Sequence, residues 1–184
     1  MSKVREVKKD FFSVKLFFLI LGGIAAYQIN DWLRGEPDWE ELSYESGGFV
    51  AQTAGKPDLR KLRETLAFGE VEFQFLMFEH SEMQYAITYG DIPEFIPADS
   101  AIVANRDAIL RQVEGKILDE TDVVLGGHPA RNIRIQAADE SLMQVQITQV
   151  GQRLYSLMAA GAPYLFDDNP ELLRFFSSFR LTEP

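Results

Sequence analysis

The 184-residue chain contains no cysteine. This absence excludes disulfide bonds, thiolate metal sites, cysteine nucleophiles and lipid attachment through cysteine. Histidine is almost as scarce, with two residues, and they do not have the helical spacing of a zinc site. We therefore expect a domain that is stable by packing alone and holds no metal or other cofactor.

Basic residues are scarce outside the N-terminus. Residues 1–35 hold six basic and three acidic residues, whereas the rest of the chain holds twelve basic and twenty-five acidic residues, a net charge of −13. Such a surface repels phosphate backbones and has no basic stripe, so we expect no nucleic-acid partner. The acidic surface either aids solubility or binds a basic partner.

Catalytic signatures are also missing. The chain has no Gly-x-Ser-x-Gly nucleophile elbow, which many serine hydrolases require. Three Gly-Gly pairs lack the spacing and the strand-to-helix context of a phosphate-binding loop; they lie at 22–23, 47–48 and 126–127. We therefore predict that the protein is not an enzyme and has no catalytic, cofactor-binding or metal-binding residue.

The polar side chains that stand out are interpreted as structural or solvated. The carboxylate pairs Asp119-Glu120 and Asp167-Asp168 are adjacent in sequence and are expected to face solvent rather than share a site. His80 and His128 lie at predicted turns, where a histidine is usually solvated. Arg106 lies on an apolar stripe, so its stem should pack while its head reaches water or an acidic partner.

The long apolar run is confined to the N-terminus. Residues 11–29 carry a single charge, that of Lys15, and 19 residues are close to the length that crosses a bilayer as a helix. Trp32 follows the run, and four basic residues precede it: Lys3, Arg5, Lys8 and Lys9. The positive-inside rule predicts a single-pass protein of an inner or photosynthetic membrane, with a cytoplasmic N-terminus and a periplasmic or lumenal domain.

This segment has two alternative interpretations, a cleaved signal peptide and an amphipathic surface helix. A cleaved signal peptide is compatible with the short strict apolar core at 16–26 and the small residues around Ile24. An amphipathic surface helix is not, because the core has no polar face. The resulting division of the chain is a cytoplasmic N-terminus at 1–10, a membrane anchor at 11–33, a linker at 34–40 and a globular domain at 41–184.

Short strands joined by tight turns dominate the globular domain. Val71, Phe73 and Phe75 alternate with polar residues, which is the period of a half-buried strand. Eight strands are predicted, at 42–45, 49–53, 71–79, 83–89, 116–125, 132–137, 142–150 and 153–160. Because strands joined by two-residue turns must be antiparallel, we predict an α+β fold with a central antiparallel sheet flanked by helices.

Two segments have the pattern of amphipathic helices. One is predicted from an N-cap at Asp99 to about Val113, and the other begins after the N-cap Asn169, with Pro170 and Glu171 in its first turn. The stripe of the first helix comprises Ile102, Arg106, Ile109 and Val113, with Val103 and Leu110 alongside. The side chains of the second helix expected in the core are Leu172, Phe175 or Phe176, and Phe179.

Several short motifs, in this order along the chain, resemble the PsbP family. They are SGGFVAQ at 46–52, GKP at 55–57, GGHPAR at 126–131, GQRLYSLMAAG at 151–161 and FFSSFRL at 175–181. The resemblance covers about residues 40–181 and implies an α/β/α sandwich around a central antiparallel sheet. The best-known member of the family is an extrinsic lumenal subunit of photosystem II.

The resemblance implies a non-enzymatic, membrane-anchored accessory subunit that helps a larger membrane complex to assemble or to remain stable. A photosynthetic reaction-centre or photosystem complex is the natural candidate, with integral membrane subunits and membrane lipid as partners. Two alternatives stay open, an exported domain that binds a lipid or pigment and an uncharacterised hydrolase. An apolar pocket open to the sheet would favour the first, and a buried titratable cluster the second.

Overall fold

A computed structural model describes residues 38–182 of the chain. The predicted N-terminus at 1–10 and membrane anchor at 11–33 lie outside this range, as does most of the linker. Within the range no helix combines the length and the apolar character that a bilayer span needs. The first strand begins at Trp39, so Trp39 and Glu40, assigned above to the linker, belong to a sheet.

A small sheet contains the first two strands and the last one. Its members are β1 (Trp39–Tyr44), β2 (Phe49–Ala54) and β10 (Arg180–Leu181), in the order β1-β2-β10. The predicted hairpin is confirmed, since Tyr44 pairs with Phe49 across the 3-10 turn Glu45–Gly47. Strand β10, with two residues, is too short to produce a sequence pattern.

Seven antiparallel strands form the central sheet. They are β3 (Asp58–Leu66), β4 (Gly69–His80), β5 (Met83–Asp91), β6 (Lys116–Leu125), β7 (His128–Gln136), β8 (Leu142–Val150) and β9 (Arg153–Gly161). Their order is β3-β4-β5-β9-β8-β7-β6, which leaves β3 and β6 at the two edges. The predicted antiparallel sheet is confirmed, and β3, which the alternation did not single out, is added to it.

Helix α1 (Ala98–Gln112) covers one face of the central sheet. Its buried residues are Ala101, Ile102, Ala104, Asn105, Ala108 and Ile109. The predicted stripe is therefore only partly right, because small alanines form much of the buried face while Val103 is exposed. Asp99 is not the N-cap: Pro97 holds that position, and no side chain caps the helix.

Helix α2 (Pro170–Ser178) and the small sheet cover the opposite face. Asn169 is confirmed as the N-cap, since its Oδ1 accepts a hydrogen bond from the backbone N–H of Glu171 at 2.9 Å. All the aromatic candidates are in the core, which contains Leu172, Phe175, Phe176 and Phe179. The described residues thus form three layers: α1, the central sheet, and α2 together with the small sheet. The predicted α/β/α sandwich is confirmed, and the small sheet is an addition to its third layer.

Replacing Asn169 with alanine should lower the free energy of unfolding by about 1 kcal/mol, because the helix loses its capping acceptor. Urea denaturation of the purified protein measures the change. Asn169→Asp is the matched control, since it keeps the acceptor and loses the side-chain N–H groups that donate to the Leu165 carbonyl at 2.8 Å and to Met83 Sδ at 3.4 Å. Equal losses in the two variants would show that the cap is not the source of the effect.

Candidate functional site

His80 is buried and paired, not solvated as predicted. It is the last residue of β4, and its Nε2 lies 2.9 Å from Oε1 of Glu171 in the first turn of α2. Its ring packs edge-on against Trp39, with 5.3 Å between ring centroids. The prediction failed because α2 and β1, both remote in sequence, fold over the end of this strand.

The contacts of His80 do not have the geometry of a hydrolase relay. Ser81 Oγ and His80 Nε2 both lie near the same oxygen, Glu171 Oε1, at 3.4 and 2.9 Å. In a Ser-His-acid relay the imidazole lies between the hydroxyl and the acid, whereas here the carboxylate lies between the other two. The three side chains therefore link the β4–β5 turn to the start of α2.

Glu120 is shared by two arginines. Its two oxygens lie 3.0 Å from Nη1 of Arg106 on α1 and 2.9 Å from Nη1 of Arg131 on β7. The prediction of a solvated pair is wrong for Glu120, whose side chain is 19% exposed, and right for Asp119, which is exposed. Strand alternation explains this difference, because only Glu120 points to the α1 face. The head of Arg106 reaches an acidic partner, as predicted.

The other predicted polar residues remain apart from this cluster. Asp167 and Asp168 are exposed in the segment before α2, as expected, and His128 is half-buried at the start of β7. In the part of the chain that the structure describes, no group of three or more histidine or acidic side chains is placed to hold a metal ion.

A cavity between α1 and the central sheet has a volume of about 20 Å³. Its polar lining includes Thr88, Asn105 and Ser156, and Asn105 Nδ2 donates a hydrogen bond to Ser156 Oγ at 2.6 Å. This volume suits one water molecule, whereas small-molecule pockets occupy about 300–1,000 Å³. This cavity is therefore too small for a lipid or pigment. An open groove of about 370 Å³ lies between α2 and β2, and its volume falls within that range; it is lined by Gln52, Pro170, Leu173, Arg174, Ser177 and Ser178.

A tyrosine cluster fastens the small sheet to the central one. Tyr155 on β9 donates a hydrogen bond to the Gly47 carbonyl at 2.9 Å. Arg153 makes two hydrogen bonds to Asp91, at 2.7 and 3.1 Å, and a third to the Ser46 carbonyl at 3.1 Å. These contacts hold the 3-10 turn between β1 and β2 against the end of the central sheet.

Alkaline pH should unfold the protein through its buried tyrosines. Burial raises the pKa of Tyr85, Tyr89 and Tyr155 above the ordinary value of 10.0. Each neutral, buried tyrosine contributes its full share of the free energy of unfolding below about pH 10, the pKa in the unfolded chain. That contribution is lost as the pH rises through the higher pKa of the folded protein. Tyrosinate absorbance should therefore rise together with loss of circular dichroism. Full ionisation of all tyrosines in the intact fold would contradict this.

The surface of the described domain is strongly acidic. Residues 38–182 hold twelve basic and twenty-three acidic residues, a net charge of −11. Four large apolar side chains are highly exposed, namely Phe95, Val124, Tyr164 and Leu173. A surface of this charge attracts positively charged molecules and repels negatively charged ones.

Comparison with known proteins supports the fold. No family model matches the chain, and no curated protein matches it. The solution structure of cyanobacterial PsbP (CyanoP) from Synechocystis is similar, with a TM-score of 0.57 and 10% identity over 80% of this chain and 95% of that one. A Pseudomonas aeruginosa protein of unknown function, described as a putative regulator, aligns over 73% of this chain and 91% of that one at 10% identity, and its TM-score of 0.35 is too low to establish a shared fold.

At 10% identity the similarity to CyanoP establishes the fold alone. The described domain therefore has a PsbP-like fold, as the sequence motifs predicted.

Proposed function

We propose that this chain is a non-enzymatic, membrane-anchored accessory subunit of a larger membrane protein complex, with a photosynthetic complex as the candidate. The observation that carries the proposal is the PsbP-like fold, which is shared with CyanoP over 80% of the chain. The anchor rests on the apolar sequence at 11–29 and its basic flank. The domain would then lie in the periplasm or the lumen, against integral membrane subunits.

Two parts of the chain would contribute to binding in different ways. The anchor would supply helix packing in the lipid, since four small residues allow close approach: Gly22, Gly23, Ala25 and Ala26. The acidic domain would supply orientation more than affinity, because exposed charges steer association and are screened by salt. The full-length protein should therefore resist a salt wash that removes a domain lacking the anchor.

Gentle detergent solubilisation followed by native gels tests the proposal. The full-length protein should migrate with a membrane complex, whose subunits mass spectrometry identifies. A version that begins at residue 36 should bind that complex weakly and dissociate as salt is raised. The proposal fails if the full-length protein migrates alone at every salt concentration while the membrane complexes stay intact.

The orientation has its own test. Protease added to spheroplasts should digest the domain, because the basic N-terminus is expected to remain in the cytoplasm. Digestion only after lysis would place the domain on the other side. Recovery of a mature chain that begins near Ala26 would show that the segment is a cleaved signal.

A further inference from the structure

Strand β6 leaves one edge of the central sheet open. It is the last strand in the sheet order, and among residues 38–182 it pairs only with β7. A parallel bridge between Gly126 and Arg180 occupies the edge just beyond the end of β6. Before that point the outer N–H and C=O groups of β6 are available, and such an edge is a template for a further strand. A register shift between Ile117 and Asp119 interrupts the strand, so its regular part runs from Asp119 to Leu125.

The opposite edge strand, β3, carries charges of both signs. Five of the nine residues of β3 are charged, and they form ion pairs such as Arg60–Asp58 at 3.0 Å and Lys61–Glu72 at 3.6 Å. A dense row of charges is a common defence against added strands. On β6 the apolar side chain of Val124 is 71% exposed. Residues 119–125 of β6 hold three acidic residues and no basic one, whereas β3 holds three basic and two acidic residues. The two edges thus differ in the sign of their charge, and β6 is the one suited to a basic strand.

The charges of β6 select the kind of strand that can pair with it. Asp119 and Asp122 are exposed, and Asp122 has one contact, to Nε of Arg131 at 3.0 Å. A second copy of β6 would bring two acidic strands together, which like-charge repulsion disfavours. A strand with lysine or arginine near these aspartates and an apolar residue near Val124 fits instead.

We infer that residues 119–125 of β6 pair with an extended, basic segment of the partner subunit, which adds an eighth strand to the central sheet. This inference rests on the proposed function and names the surface by which the domain meets its complex. Backbone pairing supplies affinity in this mode of binding, and the alternating side chains supply selectivity. The acidic field of the whole domain favours the same basic partner.

A defined peptide tests the edge in the full-length protein in detergent. The probe is a labelled nine-residue peptide that alternates lysine and valine, with a glutamate–valine peptide as the negative control. Binding of the basic peptide should slow hydrogen exchange of the β6 amides about tenfold. The double variant Asp119→Lys/Val124→Lys should weaken binding about tenfold or more, since it reverses a charge and removes the apolar contact.

The matched control is Asp167→Lys/Leu173→Lys, which makes the same charge change elsewhere on the surface. Leu173 is 72% exposed, close to the 71% of Val124, so both variants should fold and should melt alike. The control should bind the basic peptide within about twofold of the wild type. Equal weakening in both variants, or exchange protection outside β6, would overturn the inference, because binding would then follow net charge alone.

The native-gel assay separates this inference from the proposed function. The wild type and the Asp167→Lys/Leu173→Lys variant should migrate with the complex, whereas the β6 variant should dissociate at lower salt. If the wild type and both variants stay bound equally, the subunit proposal stands and the β6 surface is wrong. If the wild type itself migrates alone, the subunit proposal fails, and so does the inference that β6 pairs with a strand of a partner subunit.

Discussion

Replacing Phe175 with alanine is expected to lower the free energy of unfolding by about 3–5 kcal/mol. Phe175 is fully buried, and its ring lies 5.8 Å from Phe78, 5.0 Å from Tyr85 and 5.1 Å from Phe176, measured between centroids. Phe78 and Tyr85 are stacked on each other at 5.0 Å, so we expect them to fill little of the space that the ring leaves. Urea denaturation followed by circular dichroism measures the loss.

Two controls separate the cavity from a general effect on α2. Leu173 is on the outer side of the same helix and is 72% exposed, so Leu173→Ala should change the stability by less than about 0.5 kcal/mol. Phe175→Leu keeps much of the volume and should cost about 1–1.5 kcal/mol. If Phe175→Ala unfolded at the same urea concentration as the wild type, this ring would not anchor α2 to the sheet.

The strands of the central sheet were predictable because their pattern is local. On β8, Met143, Val145 and Ile147 are buried, while Gln144 and Gln146 between them are half-buried. Such alternation identifies both the strand and its buried face from the sequence. Short connections then reverse the chain: residues 137–141 join β7 to β8, and the two residues 151–152 join β8 to β9. The antiparallel order from β7 to β9 could therefore be predicted.

The buried face of α1 was harder to predict because small and polar residues form it. Ala101, Ala104 and Ala108 face the sheet, and an alanine contributes little to an apolar stripe. Asn105 is buried because its side chain pairs with Ser156, which is 51 residues away in sequence. Neither fact is encoded in the local pattern, so the prediction placed the longer Val103 near the core instead.

The contacts of the polar residues depend on pairing over still longer distances. His80 and Glu171 are 91 residues apart in sequence. Nothing in the sequence around a histidine at a turn predicts that it contacts a carboxylate on a distant helix. The solvated interpretation of His80 was wrong for this reason. The β6 edge is similar, since the sequence predicts a strand at 116–125 but not which strands lie beside it.

Replacing Glu120 with alanine is expected to lower the free energy of unfolding by about 2–3 kcal/mol. The change would remove the carboxylate that Arg106 and Arg131 share. Arg106 would keep Asp107, at 2.8 Å, and Arg131 would keep Asp122, at 3.0 Å. Removing one partner of a fully buried ion pair costs about 3–5 kcal/mol, because the other charge stays buried and uncompensated. The cost should be smaller here, because Glu120 is 19% exposed and each arginine keeps a second carboxylate partner.

The neighbouring Asp119 provides the matched control for Glu120. Asp119→Ala makes the same change in net charge on an exposed side chain and should cost less than about 0.5 kcal/mol. Raising the salt to about 1 M should reduce the cost of Glu120→Ala, since screening weakens the repulsion between the two arginines. Equal costs for the two variants in urea denaturation would mean that net charge, and not the shared carboxylate, stabilises the contact between α1 and the sheet.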